Sequence, residues 1–259
     1  MNYETLLVEH DGAASFIIFN RPPLNLFTRR LLAELDNALV ALEARDETRA
    51  VVIKGQGERA FSAGADLRDE ASVLDDSGFM ATKGREIVDR IETMSKPVVA
   101  ATRGWCIGGG TGIAWVADIR IAAESTKFRS GDAYLGIVPT WGVSLGRLSH
   151  FIGRNRTLDL LLLGEDVTAR QAYELGLVSK VVPDADFDVE VGRIAQRLAG
   201  GAPIAFRAIK EIVRAQHRAA PAEVARLIAH WGEVAGRSQD AAEGARAFAE
   251  KRKPVFRGV

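Results

Sequence analysis

Three short segments carry residue types suited to catalysis. Phe61-Ser-Ala-Gly-Ala-Asp66 strings together residues with little or no side chain, and such a stretch lets a ligand reach backbone N–H groups, as an oxyanion site requires. The same segment also reads as a tight strand-to-helix turn with Asp66 near a helix start. Gly104-Trp-Cys-Ile-Gly-Gly-Gly-Thr-Gly112 follows one apolar run and precedes another. Successive glycines cost about 1 kcal/mol each against alanine inside a helix, so either close helix–sheet packing or ligand approach is their motive. N–H groups at a helix start also carry partial positive charge suited to a developing oxyanion. This loop is not a dinucleotide fingerprint: the G-x-G-x-x-G spacing is absent, and no acidic residue closes a following strand about 20 residues on. The third segment is Phe128-Arg-Ser-Gly-Asp-Ala-Tyr-Leu-Gly-Ile-Val-Pro139, where Asp132 stands among small and apolar residues. A carboxylate confined by apolar groups is raised by desolvation and can carry protons at neutral pH. A Gly-Asp turn accounts for the same residue without chemistry.

The elements that would hold these segments follow from periodicity. Alternating stretches at 5–9 and 14–20 flank Asp11-Gly12, a hairpin turn signal. Thr28 is a good N-cap, and Leu31, Leu32, Leu35, Leu39 and Leu42 recur at helical spacing up to the polar run ending at Arg49. A buried strand at 50–54 then leads into the first small-residue loop. The pattern repeats: a helix over 87–94, a strand over 97–102, the glycine loop, and a short helix over 113–116. A strand pair at 119–123 and 127–129 precedes Asp132. Alternating strands and helices predict an α/β core with its binding groups on connecting loops.

Beyond Trp141 helical spacing dominates, with helices over 142–151, 155–163, 168–175, 187–198, 203–217, 221–235 and 239–253, and only 177–182 extended. Ala199-Gly-Gly-Ala-Pro203 marks a boundary near residue 200 between a core of residues 1–200 and an Ala-rich, amphipathic tail of residues 201–259. The apolar face of that tail needs a partner, either the core or another subunit.

The chain has 259 residues with 34 Lys+Arg against 34 Asp+Glu, so it offers no electrostatic footprint for nucleic acid or an anionic membrane, and an anionic ligand must be held locally. One cysteine excludes an internal disulfide and multi-cysteine zinc sites, and it suits a reducing compartment. The four histidines lack ligand spacing. The N-terminus reads as neither signal nor transit peptide, and the longest apolar runs fall far short of the roughly 20 residues a membrane span needs. A soluble, cytoplasmic, metal-free protein is expected.

Taken together and in order, F-S-A-G-A-D-L, then G-x-x-x-G-G-G, then G-x-V-P with L-G-R-L resemble the crotonase superfamily, the enoyl-CoA hydratases and isomerases. The resemblance spans nearly the whole chain. It includes Asn20-Arg-Pro-Pro-Leu-Asn25, Lys96-Pro-Val-Val-Ala100, Asp118-Ile-Arg-Ile, Ala172-Tyr-Glu-Leu-Gly-Leu-Val178 and Phe248-Ala-Glu-Lys-Arg252. It implies an α/β spiral of ββα units with a helical C-terminal trimerisation region, assembled as a homotrimer or homohexamer. It implies an acyl-CoA substrate, with coenzyme A part of the substrate and no separate cofactor. By motif match, the N–H groups of Ala65 and Gly109 polarise the thioester carbonyl and stabilise an enolate. Ala63, Gly64, Asp66, Leu67, Arg68 and Gly108 lie beside the ligand, and Arg21, Leu24 and Lys251 are further candidates for contact with it.

Departures from the pattern bear on the reaction. A typical hydratase of this family carries two glutamates, and their positions here are Gly112, which cannot transfer a proton, and Asp132, one methylene shorter. A single carboxylate still suffices to shuttle a proton between two carbons, so double-bond isomerisation is placed slightly ahead of hydration. Trp115 and Trp141 are candidates to fill the volume of the missing glutamate, or simply core residues. Two other readings remain: a divergent decarboxylase or hydrolase using Thr111, Ser130 or Tyr134, and a non-catalytic acyl-CoA binding protein.

Overall fold

The computed structural model describes residues 2–68, 78–139, 146–216 and 218–259. Strand β1 (Leu6–Asp11) turns through Gly12 into antiparallel β2 (Ala14–Phe19). Helix α1 (Arg29–Ala44) starts where the Thr28 side chain accepts the Leu31 N–H, and its buried leucines are those whose spacing predicted it.

The chain then passes three times through the same move. A long strand enters one sheet, a three-residue strand enters a second, and a helix follows: β3 (Ala50–Gly55), β4 (Ala60–Ser62) and α2 (Phe79–Thr93); β5 (Val98–Thr102), β6 (Trp105–Ile107) and α3 (Gly109–Val116); β7 (Ile119–Ala123), β8 (Lys127–Arg129) and, after a 3-10 turn at Asp132–Leu135, α4 (Gly146–Ile152). This is a ββα spiral. Helix α5 (Arg154–Leu163), strand β9 (Val167–Thr168), helix α6 (Ala169–Glu174), strand β10 (Lys180–Val182) and helix α7 (Phe187–Ala199) complete the core. The larger sheet runs β1-β2-β3-β5-β7-β10 and the smaller β4-β6-β8-β9, parallel throughout except for the β1/β2 and β8/β9 pairs.

Both faces of the larger sheet are buried at its central strands β3 and β5, which is why these are nearly continuous apolar runs. Val51, Ile53, Val98 and Ala100 face one core with α1, α2 and α3, while Ala50, Val52, Val99 and Ala101 face a second with Phe187, Val191 and Ala195 of α7. Helices α1 and α2 are clamped by Asp36, which accepts from Arg90 Nε at 2.6 Å and Lys83 Nζ at 3.2 Å. Burial alone would raise the Asp36 carboxyl; the two cations outweigh it and hold it below the ordinary range.

Several expectations need correction. The helix placed at 87–94 begins at Phe79, with Gly78 as its N-cap in the left-handed region. The strands at 119–123 and 127–129 are not partners but members of different sheets. The last helix ends at Ala249 because Lys251 takes φ 54°. Positions 142–145 of the helix placed at 142–151, His217, and Trp141 lie outside the described residues.

After Gly200-Gly201 come α8 (Pro203–Ala215), α9 (Pro221–Gly236) and α10 (Gln239–Ala249). This tail is tied back to the core: Lys210 of α8 bonds Asp118 at 2.6 Å and the Lys96 carbonyl at 2.9 Å. The final residues return along α10, where the buried Asp240 accepts the Arg257 and Gly258 N–H groups, and Arg49 reaches the Phe256 carbonyl. Val224, Trp231 and Ala247 of the tail are buried, whereas Ile209, Val213, Ile228 and Phe248 stay exposed. Among the described residues, no helix is long and apolar enough to cross a membrane.

Candidate active site

The two small-residue loops meet backbone to backbone. Gly64 has φ 86°, a conformation side chains disfavour, and a Cβ there would come 3.0 Å from the Ile107 carbonyl oxygen and 3.6 Å from the Gly109 nitrogen. Gly110 packs just as closely, since its Cβ would fall 2.5 Å from the Ser62 carbonyl oxygen. The glycines therefore bring the end of β4 against the start of α3.

Two N–H groups are left over at this junction. Phe27 N–H donates to the Gly64 carbonyl and Asp66 N–H to the Phe27 carbonyl, at 2.8 and 2.9 Å, a ladder that leaves out the Ala65 N–H. Gly109 is the first residue of α3, and the opening N–H groups of a helix have no partner within it. Both loops line one cleft of about 720 Å³, where Ala63, Gly64, Ala65, Leu67, Gly108 and Gly109 form the floor. Phe79 and Met80 of α2 form one wall; Asp132, Tyr134, Leu135, Ile137 and Leu163 form the other. Such an arrangement can polarise a carbonyl oxygen beside a single carboxylate.

Asp132 opens the 3-10 turn and is only half-buried, not enclosed by apolar groups, because Tyr134 and Leu135 around it are themselves exposed. Its Oδ1 lies 3.9 Å from where a Cβ on Gly108 would stand. Gly112 is buried in α3. Trp115 is a core residue against Phe128, with ring centroids 5.8 Å apart. Thr111 is buried with its hydroxyl on the Gly108 carbonyl at 2.6 Å.

The remaining candidates sit elsewhere. Asp66, Arg68, Arg21, Leu24 and Lys251 do not line the cleft. Arg21 Nη2 is 3.5 Å and Arg68 Nε 3.6 Å from the Asp66 carboxylate, so both arginines pair with Asp66, Arg68 from an exposed position. Leu24 accepts the Ala63 N–H through its carbonyl at 2.9 Å. Lys251 is an exposed residue just past α10.

One support escaped the sequence reading. Asn25 is fully buried at φ 48°, donates to the Gln56 and Ala60 carbonyls at 3.1 and 2.8 Å, and accepts the Ser62 hydroxyl on its own carbonyl at 2.8 Å. Ser62 in turn accepts the Gly64 N–H at 3.2 Å. An asparagine tolerating a positive φ is the one local signal for this role.

A family model described as enoyl-CoA hydratase/isomerase matches residues 9–259. The chain belongs to the enoyl-CoA hydratase/isomerase family, within the crotonase superfamily, and is an enzyme of lyase or isomerase type. It is 34% identical to a probable enoyl-CoA hydratase of Bacillus subtilis, each covered over 100% of its length. It is 31% identical to a short-chain-enoyl-CoA hydratase of Clostridium acetobutylicum, covering 98% of this chain and 97% of that one. The fold superposes on a crystal structure of an enoyl-CoA hydratase from Bacillus anthracis with a TM-score of 0.94 at 32% identity, covering 99% of this chain and 100% of that one.

Proposed function

We propose that the cleft binds an acyl-CoA thioester, that the Ala65 and Gly109 N–H groups hold its carbonyl oxygen as an enolate develops, and that Asp132 moves the proton. Coenzyme A enters as part of the substrate. Ala63, Gly64, Leu67 and Gly108 line its path, while Asp66, Arg68, Arg21, Leu24 and Lys251, which lie outside the cleft, are assigned to the parts of coenzyme A that extend beyond it. The preferred reaction is double-bond isomerisation: Asp132 takes a proton from the carbon beside the thioester of a 3-enoyl chain and returns it two carbons further along, giving the 2-enoyl product.

One observation supports this order. Asp132 is the only carboxylate among the described lining residues, and position 112 is a glycine inside α3. Addition of water by two carboxylates lacks its second member. Hydration by Asp132 alone is the second reading, favoured by the names of the relatives.

Assays of the purified protein on 3-enoyl-CoA and 2-enoyl-CoA separate the two. Interconversion of the double-bond isomers is expected, falling about 100-fold or more in Asp132→Asn while CoA-ester affinity stays within a few-fold, the scale of a lost general acid/base. Fast, Asp132-dependent water addition without isomerisation overturns the preference. Release of free CoA or carbon dioxide would mark the hydrolase or decarboxylase reading, and tight binding without turnover across many acyl groups a binding protein.

A further inference from the structure

Asp132 is a short side chain on an exposed turn, so something must decide where its carboxylate points. Ser130, directly after β8, is buried, and its hydroxyl donates to Asp132 Oδ2 at 3.1 Å. The other oxygen, Oδ1, is the one near Gly108. The two oxygens are thus divided, Oδ2 held from the core side and Oδ1 left toward the loop that carries the Gly109 N–H. Arg129, the one cation among the described lining residues, has its Nε 2.7 Å from Asp166 Oδ1, so its charge is directed at a different carboxylate.

We propose that Ser130 is the positioning residue of the site: its hydroxyl fixes the rotamer of Asp132 so that Oδ1 faces the transferable proton of the substrate. This rests on the reading of Asp132 as the proton carrier. Ser130 keeps its own proton throughout, while Oδ1 accepts one from carbon and gives it back. At 3.1 Å this bond is longer than the roughly 2.5–2.7 Å of a strong hydroxyl–carboxylate bond, so it acts by setting direction rather than by strength. Holding a reacting group in place is worth a large factor, since a displacement of about 1 Å can cost about 100-fold in rate.

The test is a double-mutant cycle on the full chain, using whichever enoyl-CoA isomer the unaltered enzyme turns over. Ser130→Ala is expected to lower kcat about 10- to 100-fold with KM within about two-fold, and Ser130→Thr, which keeps the hydroxyl, to recover part of it. In an Asp132→Asn background, Ser130→Ala should cost nothing further, because the group it orients is already gone. That coupling decides the matter whether or not threonine packs well. Unchanged kcat in Ser130→Ala, an equal loss in both backgrounds, or a rise in KM alone overturns the proposal and leaves the hydroxyl a tie within its turn. Full turnover in Asp132→Asn would instead overturn the reading of Asp132 itself, so the two failures are distinct.

Discussion

The floor of the cleft is set by atoms that are missing. Gly64 combines a positive φ with a Cβ position 3.0 Å from the Ile107 carbonyl oxygen, so Gly64→Ala must either strain its backbone, at roughly 1–2 kcal/mol, or push the two loops apart. Either shift moves the neighbouring Ala65 N–H. Losing such a donor raises a barrier by about 2.7–4 kcal/mol, so Gly64→Ala should lose about 100-fold or more in kcat in steady-state assays. Gly192→Ala is the control: it sits in α7 with open space around its Cβ position and should leave kcat unchanged. Comparable losses in both would show that the effect is not local to the floor. The three chemically marked loops could be read from the sequence because a glycine run is costly and so advertises a purpose, and because small residues at 61–66 and a carboxylate among small and apolar residues at 132 stand out. Asn25 and Ser62 could not, since a buried hydrogen-bond relay between residues 25, 60 and 62 leaves no periodic trace. Asp132 was found, but its partial exposure was not, because burial depends on what packs around the turn.

At the level of elements, long periodic segments declared themselves and short ones did not. Helix α1, the β1/β2 hairpin and strands β3 and β5 lie close to where spacing placed them. β4 and β6 are three residues each, inside the very loops whose composition reads as turn, and pairing across the smaller sheet, β4 with β6 and β6 with β8, defines them. The first two turns of α2 were missed because Gly78 caps it and Gly84 interrupts its pattern. Elements are also joined by charges that no local pattern reveals, and Lys210–Asp118 is an ion pair between the tail and the residue that leads into β7. Burial pushes the Asp118 carboxyl up, with Lys210 opposing; a raised folded-state value means that stability falls as pH climbs through the range above 3.8. Lys210→Met removes the cation from a half-buried carboxylate that keeps, among the described residues, only the Val98 N–H, a change that costs about 1–3 kcal/mol, at about 2–4 °C of Tm per kcal/mol. The deficit should be largest near pH 8 and shrink toward pH 5 as Asp118 takes up a proton. Thermal melts with an equal deficit at both pH values would rule this out.

For the whole molecule, the tail folds back through Lys210, Val224, Trp231 and Asp240, yet it still leaves Ile209, Val213, Ile228 and Phe248 in water, the last 88% exposed. A surface of that kind calls for a covering partner, and we propose that residues 201–259 assemble the chain into a trimer or hexamer. Each such side chain contributes up to about 1.5–3 kcal/mol when buried, so the four together reach the scale of association costs, about 4–15 kcal/mol. Sedimentation equilibrium should find no 28.0 kDa species at micromolar concentration; a fully active monomer would contradict the proposal. The close meeting of β4 and α3 has a consequence for redesign. Since no side chain can be added at Gly64 or Gly110 without parting the loops, those two positions offer no room for altering preference among acyl groups. Tyr134, Leu135, Ile137 and Leu163 on the opposite wall are exposed and free of that constraint. A combinatorial library confined to those four positions would explore new acyl chains while every member inherits an intact carbonyl-binding floor.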